Sequence, residues 1–298
     1  MISRTIEVSG HDVSLSLRDA QVTITREGQE IGRVPAEDVG VLIVDTPSAQ
    51  YTHRALLALL ERGAVIVACD AKHMPAAVIA PLEGHHLQSE RLRAQVEASL
   101  PTRKRLWQKI VQAKIRHQAA LHAGEETRQR LRNLAAKVKS GDPSNVEAQA
   151  ARLHWSRWLP PEANFRRARG GDPPNNLLNY GYMALRAAVA RSLVGAGLHP
   201  SLALRHQNRY NAFGLADDLM EPLRPLVDAK ARELFLGGQA EIDRDTKAAL
   251  LALLTATVRS GTETGPLLIG LERMAVSLAR NLAGEEQQLL IPALPPDP

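Results

Sequence analysis

The sequence predicts an α+β protein in which a small strand-rich N-terminal part precedes a larger helical part. Two observations predict this order. Up to about residue 80, apolar residues alternate with polar ones or form short continuous runs, which is typical of strands. After the turn-forming segment Pro81–Gly84, apolar residues recur at helical spacing over most of the chain. We therefore predict two domains, over residues 1–84 and 85–298.

The N-terminal residues predict several strands and one helix. Alternating apolar residues at 13–17 and 22–24 predict half-buried strands. The continuous apolar runs at 41–44 and 65–67 predict strands covered on both faces. Between those two runs, residues 52–62 predict a helix, because leucines dominate one side of it.

The second part predicts eight helices, over residues 89–99, 103–122, 127–139, 144–158, 176–194, 216–236, 246–258 and 271–282. In the fourth of these, Ser144 with Glu147 three positions later fits a capping box. Glu147 therefore has a purely structural interpretation beside any functional one.

The single cysteine and the absence of long apolar stretches predict the compartment. One cysteine, Cys69, excludes an internal disulfide framework and a cysteine-rich zinc site, and its apolar surroundings predict a buried strand residue. The first residues lack the apolar stretch of a signal peptide, and the apolar run 248–258 is too short to span a bilayer. We expect a cytoplasmic protein that does not associate with membranes.

Positive charge is concentrated in one block of the chain. Residues 91–169 contain 18 Lys and Arg against six Asp and Glu, whereas the formal net charge of the whole chain is +5. Such a block favours binding to phosphate backbones over a merely solvated surface. The candidate phosphate contacts are Arg103, Lys104, Arg105, Lys109, Arg166, Arg167 and Arg169.

Three places in the second part can supply ligands to a divalent cation: Glu147, His206 and Glu221. Asp217 and Asp218 lie four and three residues before Glu221, so each can share a helix face with it. Carboxylates this close repel one another unless a cation or a proton neutralises them. Taken singly, each of the three signals is weak, because a lone Glu or His is most often a cap or a surface residue.

The run that holds these acids resembles a known family. Its motifs are Asn179-Tyr-Gly-Tyr-Met-Ala-Leu-Arg186, Gly197-Leu-His-Pro200, His206, Asn211-Ala-Phe213 and Leu215-Ala-Asp-Asp-Leu-Met-Glu-Pro-Leu-Arg-Pro-Leu-Val-Asp228. They are similar to those of the CRISPR-associated spacer-acquisition integrases, in the form found beside type II loci. The resemblance implies a β-rich dimerisation domain over 1–84 and a helical, metal-dependent catalytic and DNA-binding domain over 85–298.

The resemblance also implies a metal triad and places it on Glu147, His206 and Glu221, with Asp217 or Asp218 as a supporting acid. Many relatives have a second histidine where this chain has Arg205, which leaves the ligand position at His206 in place. The resemblance implies that Mg²⁺ or Mn²⁺ is the cofactor and that the enzyme is an endonuclease and integrase. A DNA 3′-hydroxyl would attack a phosphodiester of the CRISPR repeat.

The implied partners are double-stranded DNA with 3′ ends, CRISPR repeat DNA, a second copy of this chain and a small adaptation protein. The type II effector nuclease is a further candidate partner. Two other interpretations stay open: a non-catalytic DNA-binding scaffold, and a general metal nuclease for branched DNA. The aromatic residues Trp155, Trp158, Tyr180 and Tyr182 can stack on unpaired bases, but their helical spacing favours core packing.

Overall fold

The computed structural model describes residues 4–9, 12–70, 75–168, 170, 172–206, 208–286 and 288–293. In this part of the chain, eight strands and one helix precede residue 80, and nine helices and one β-hairpin follow it. The predicted α+β class, strand-rich first and helical afterwards, is confirmed. None of the described helices is long and apolar enough to cross a membrane.

The N-terminal strands form two four-stranded sheets. The strands are β1 (Arg4–Ser9), β2 (Val13–Arg18), β3 (Gln21–Arg26), β4 (Gln29–Pro35), β5 (Val39–Asp45), β6 (Gln50–Tyr51), β7 (Val65–Cys69) and β8 (Pro75–Ile79). In the first sheet, ordered β1-β5-β7-β8, strand β5 is parallel to β1 and β7, and β8 is antiparallel to β7. The second sheet, ordered β4-β3-β2-β6, is mainly an antiparallel meander. Helix α1 (His53–Leu60) connects β6 to β7.

Strand β5 is buried on both faces, as its continuous apolar run predicts. Successive side chains of a strand point to opposite faces. Val41 and Ile43 therefore pack against the helices, whereas Leu42 and Val44 pack against the second sheet and α1. One face of the N-terminal sheet thus belongs to the hydrophobic core of the helical part.

The helices after residue 80 are α2 (Gln88–Glu97), α3 (Leu100–Ala120), α4 (Glu125–Lys137), α5 (Val146–Trp158), α6 (Asn175–Gly195), α7 (Gly214–Met220), α8 (Arg224–Leu236), α9 (Arg244–Leu251) and α10 (Leu267–Leu282). Helix α6 is the central element, with 15 of its 21 residues buried. It packs against β5 and against helices α7 to α10. This burial on all sides explains why α6 combines apolar residues with small ones.

Two of the predicted helices differ from the structure, one by an internal break and one at its C-terminal end. The helix predicted over 216–236 is split into α7 and α8 by a 3₁₀ turn at Glu221–Leu223. Pro222 explains the break, because proline has no N–H for an intrahelical bond and clashes with the preceding turn. The helix predicted over 246–258 ends at Leu251, and β9 (Thr257–Ser260) and β10 (Glu263–Pro266) form a hairpin instead.

The thiol of Cys69 lies in β7, as predicted, but it is only half-buried. Burial, reinforced by the carboxylate of Asp45, raises the pKa of this thiol to about 12. Cys69 therefore stays protonated at neutral pH and has the chemistry of a structural residue.

Candidate active site

The three predicted ligands line one cleft of about 730 Å³. Glu147 comes from the first turn of α5, His206 from the loop between α6 and α7, and Glu221 from the turn that follows α7. The fold thus brings together residues that are up to 74 positions apart in the chain. A single metal centre requires this proximity.

The carboxylate of Glu147 is free of the capping role that the sequence predicts for it. Helix α5 begins at Val146, after Asn145 in the left-handed conformation, and Ser144 is not its N-cap. The carboxylate of Asp142 instead accepts hydrogen bonds from the backbone N–H groups of Val146 and Glu147, at 2.8 and 3.0 Å. The predicted capping box is therefore wrong, and the Glu147 side chain turns toward the cleft.

The carboxylate of Glu221 lies between two basic groups. Its Oε1 accepts a hydrogen bond from Nε of Arg224 at 2.8 Å, and its Oε2 lies 2.5 Å from Nζ of Lys114. Burial by itself would raise the pKa of Glu221, but Arg224 and Lys114 outweigh it and lower the pKa to about 2. Glu221 is therefore a buried carboxylate that stays charged at neutral pH.

The ammonium group of Lys114 bridges the two predicted carboxylate ligands. Its Nζ donates to Oε1 of Glu147 at 2.6 Å and contacts Oε2 of Glu221 at 2.5 Å. Lys114 lies on α3 and is 8% exposed. Burial would lower the pKa of Lys114, but the charges of Glu221 and Glu147 prevail and raise it. The Lys114 ammonium group therefore occupies the position between Glu147 and Glu221 from which both carboxylates can be contacted.

The imidazole of His206 is held by a buried carboxylate and an aromatic ring. Nδ1 of His206 lies 2.6 Å from Oδ1 of Asp218, which is fully buried. The Trp107 ring meets the imidazole edge-on, with ring centroids 5.1 Å apart. The hydrogen bond to Asp218 also raises the pKa of His206, since a carboxylate favours the imidazolium form. Metal-ligating histidines typically donate one ring N–H to a carboxylate in this way. The other ring nitrogen, here Nε2, is then available to bind a metal ion.

The two predicted supporting acids have different partners. Asp218 contacts His206, whereas Oδ1 of Asp217 accepts from Nε of Arg186 at 2.7 Å. Oδ2 of Asp217 accepts from the amide of Asn211 at 2.8 Å, which fixes the loop that carries His206. The repulsion expected from this acidic cluster is therefore relieved by separate partners for each carboxylate.

The donor set of the cleft fits a hard or borderline divalent ion. Two carboxylates and one neutral imidazole nitrogen are ligands that Mg²⁺ and Mn²⁺ accept. In their present arrangement, no three His, Cys, Asp or Glu side chains in the described ranges converge closely enough to bind one ion. Glu147 and Glu221 instead share the ammonium group of Lys114, which lies between them.

Six of the seven candidate DNA contacts lie within the described residues, and Arg169 lies outside them. Lys104, Arg105 and Arg166 are exposed, and Arg103 is partly buried. Lys109 lines a separate groove with Arg116 and His117. DNA contact by any of these residues stays a prediction.

The side chain of Arg167 is bound within the protein. It donates to the amide oxygens of Asn175 and Asn179, at 2.9 and 2.8 Å, and its guanidinium carbon lies 5.5 Å from the centroid of the Tyr182 ring. It lines a second cleft, of about 500 Å³, that shares Arg186, Asp217 and Arg224 with the first.

Three of the four aromatic residues that could stack on bases are instead packed in the core. Trp158, Tyr180 and Tyr182 are buried, and Trp155 is half-buried against Trp158. The hydroxyl of Tyr182 donates to the carboxylate of Asp228, next to the candidate site. These rings therefore support α5, α6 and α8.

Sequence reasoning assigned no role to Asp142, Trp107 and Arg224, which line the cleft, or to Lys114, which contacts Glu147 and Glu221. Arg224 belongs to the motif run, but no pattern in the sequence indicated a role for it. Trp107 and Lys114 are seven positions apart, so they share one face of α3, and that spacing is the only sequence signal for them. Nothing in the sequence connects that face with Glu221.

Comparison with known proteins places the chain in one family. The family model described as "CRISPR associated protein Cas1" matches residues 6–260. A "CRISPR-associated endonuclease Cas1" from Neisseria meningitidis serogroup C (strain 8013) is 36% identical over 288 residues, which cover 95% of this chain and 93% of that protein.

Two solved structures share the fold, each with a TM-score of 0.78. One is a casposase bound to integration product, 20% identical, with 97% of this chain and 92% of that chain covered. The other is a Cas6-RT-Cas1–Cas2 complex, 19% identical, with 97% of this chain and 36% of that chain covered. The matches to the family model and to the Neisseria protein show that the chain belongs to the Cas1 family of CRISPR-associated proteins.

Proposed function

We propose that this chain is a metal-dependent DNA endonuclease and integrase. It inserts short foreign DNA duplexes into a CRISPR array, through attack of a DNA 3′-hydroxyl on a phosphodiester. The observation that carries the proposal is the shared cleft of Glu147, His206 and Glu221. Membership of the Cas1 family supports the CRISPR context, and the casposase neighbour, named as bound to integration product, supports strand transfer.

In this proposal, Glu147, His206 and Glu221 hold Mg²⁺ or Mn²⁺. When bound, the ion supplies positive charge that stabilises the charge developing on the attacking and leaving oxygens. Asp218 keeps the imidazole of His206 in the orientation that leaves Nε2 available. Arg224 keeps Glu221 in its charged form, as the lowered pKa of that carboxyl indicates.

The second cleft is the proposed path for the DNA strand next to the reacting phosphate. Its lining includes Arg167, Arg186 and Arg224 and the amides of Asn179 and Asn208. Guanidinium and amide groups are common donors to phosphate oxygens and base edges. Exposed Lys104, Arg105 and Arg166 would add salt-dependent contacts farther along the duplex.

Joining both ends of one duplex requires two active sites at a fixed distance, and each chain has one candidate site. We therefore infer a homodimer that acts on double-stranded DNA with 3′ ends and on CRISPR repeat DNA. The β-rich domain is the proposed dimerisation element. The neighbour named as a Cas1–Cas2 complex supports a small adaptation partner. The form of the motifs favours a type II locus, where the effector nuclease is a further proposed partner.

Substitution of the proposed metal ligands tests whether this cleft catalyses strand joining. Purified wild-type protein is mixed with a labelled duplex, a CRISPR repeat target and Mn²⁺, and joined products are measured. We expect His206→Gln and Glu221→Gln to reduce joining at least 100-fold, since each removes a ligand, while DNA affinity stays within about threefold. Glu233→Gln is the matched control, because Glu233 is exposed on α8 and pairs only with Lys230 among the contacts described. Joining that survives in both ligand variants would contradict the site.

One observation favours the alternative of a non-catalytic scaffold, namely the Lys114 ammonium group between the two carboxylates. A scaffold would bind DNA and show neither cutting nor joining with Mn²⁺ or Mg²⁺. A general nuclease for branched DNA would instead cut branched and linear substrates without preferring the CRISPR repeat. The same assay with repeat, branched and linear DNA separates these outcomes.

A further inference from the structure

Lys114 is a buried cation that contacts two carboxylates. Its Nζ lies 2.6 Å from Glu147 and 2.5 Å from Glu221, where a divalent ion would have to bind in the proposed function. A lysine and a divalent ion cannot share that position, because both are positive and both need the same oxygens. Metal binding at this cleft therefore requires Lys114 to move.

The structure offers a place for the displaced side chain. A chamber of about 190 Å³ next to Glu221 is lined by Lys114 and Gln118, by the carboxylate of Asp228, and by the guanidinium groups of Arg167 and Arg224. Gln118 follows Lys114 by one helical turn on α3, so the two side chains are neighbours on one face.

Gln118 supplies the acceptor that a moved ammonium group would need. Its side chain is 2% exposed, and its Oε1 has no hydrogen-bond partner in the described part of the chain. A buried acceptor without a partner is unfavourable, and native proteins seldom retain one without a reason. The carboxylate of Asp228 also lines the chamber, where it accepts a hydrogen bond from the hydroxyl of Tyr182 and lies 3.2 Å from Nε2 of His154.

We propose that Lys114 is an internal counter-cation that moves from between Glu147 and Glu221 into this chamber, toward Gln118, when a divalent ion binds. The lysine stays charged throughout, so the change is one of side-chain position. In the first position it neutralises two carboxylates that would otherwise repel. In the second it satisfies Gln118 and leaves Glu147 and Glu221 to the metal. Lys114 is thus a positioning residue that sets the metal affinity of the site, and this inference rests on the proposed metal site.

Manganese binding to the DNA-free full chain tests the inference without an activity readout. Lys114→Met removes the competing cation, so we expect Mn²⁺ to bind at least tenfold more tightly in calorimetric titration. Without Mn²⁺ the same variant should melt at a lower temperature, because two carboxylates lose their shared partner. Lys137→Met, at an exposed position in the last turn of α4, is the control and should leave Mn²⁺ affinity unchanged.

Gln118→Leu separates displacement into the chamber from a simple charge effect. It removes the acceptor, so we expect Mn²⁺ to bind about tenfold more weakly than to wild type. In the Lys114→Met background, the same change should alter the affinity by less than twofold, since no lysine remains to be accommodated. If Lys114→Met does not fold, Gln118→Leu alone decides: an unchanged affinity overturns the inference.

A reference variant distinguishes failure of this inference from failure of the metal site. Glu221→Gln should weaken Mn²⁺ binding strongly if Glu221 is a ligand. If it does, and Lys114→Met leaves the affinity unchanged or weaker, only the role of Lys114 is wrong. If Glu221→Gln has no effect, or wild type binds no Mn²⁺, then the proposed site and the inference fail together.

Discussion

Nδ1 of His206 lies 2.6 Å from Oδ1 of Asp218, and the other carboxylate oxygen of Asp218 accepts the backbone N–H of Arg205 at 2.8 Å. One buried carboxylate thus fixes both the imidazole and the backbone that carries it. The position of His206 is set by α7, twelve residues later in the chain. Asp218, one of the two residues that the resemblance offered as a supporting acid, therefore determines where the imidazole lies.

We expect Asp218→Asn to reduce metal affinity and strand joining about 10- to 100-fold, because the amide cannot fix the imidazole as a carboxylate does. The change conserves shape, so the fold should persist. Mn²⁺ titration and the joining assay are the measurements. Asp217→Asn is the comparison, since Asp217 contacts Arg186 and Asn211. Equal losses in both variants would show that Asp218 has no special role.

Lowering the pH should destabilise the folded protein, because His122 is held in its neutral form by the fold. Burial, with the charges of His154 and Arg232, lowers the pKa of His122 from 6.5 to about 4. The unfolded chain therefore binds this proton first as the pH falls, so stability is present above about pH 6.5 and is lost between 6.5 and 4.

We expect this single group to remove at most about 2 kcal/mol of unfolding free energy between pH 7 and pH 5. His122→Gln cannot titrate, so its stability should fall less than that of wild type over this range. Urea unfolding at both pH values measures the difference. Parallel losses in the two proteins would show that His122 does not contribute.

Gly181→Ala should destabilise the protein by about 1–3 kcal/mol, because an added methyl group overpacks the contact between α6 and α8. A Cβ at Gly181 would lie 2.5 Å from Cγ1 of Val227 and 3.3 Å from Cδ2 of Leu250. Gly195→Ala, on the same helix with no atom within 4 Å of the added carbon, should be neutral or slightly stabilising. Urea unfolding of both variants is the measurement, and equal effects would contradict the packing argument.

Lys247→Met should cost about 3–5 kcal/mol, because it leaves a buried carboxylate without its cation. Nζ of Lys247 lies 2.5 Å from Asp45 and 3.0 Å from Glu7, so it connects α9 to strands β5 and β1. Lys230→Met removes an exposed pair with Glu233 and should cost less than about 1 kcal/mol. Thermal unfolding compares the two, and a loss below 1 kcal/mol for Lys247→Met would show that this ion pair does not stabilise the contact between strands and helices.

The sequence predicted those parts of the fold that depend on local pattern. The apolar runs of β5 and β7 were recognisable because both faces of these strands are covered. The hairpin of β9 and β10 was missed, because a short segment of threonine and valine fits the end of a helix as well as a strand until its tertiary neighbours are known.

The sequence by itself determined the α+β order, the concentration of positive charge, and the three residues offered as ligands, because these follow from composition, periodicity and motif. Only the tertiary structure decided that Glu147 is released from helix capping by Asp142, and that Lys114 lies between Glu147 and Glu221. The physical reason is distance along the chain. Contacts between α3, α5 and the turn after α7 arise from helix packing, and no local pattern in any one of these segments encodes the partner it meets.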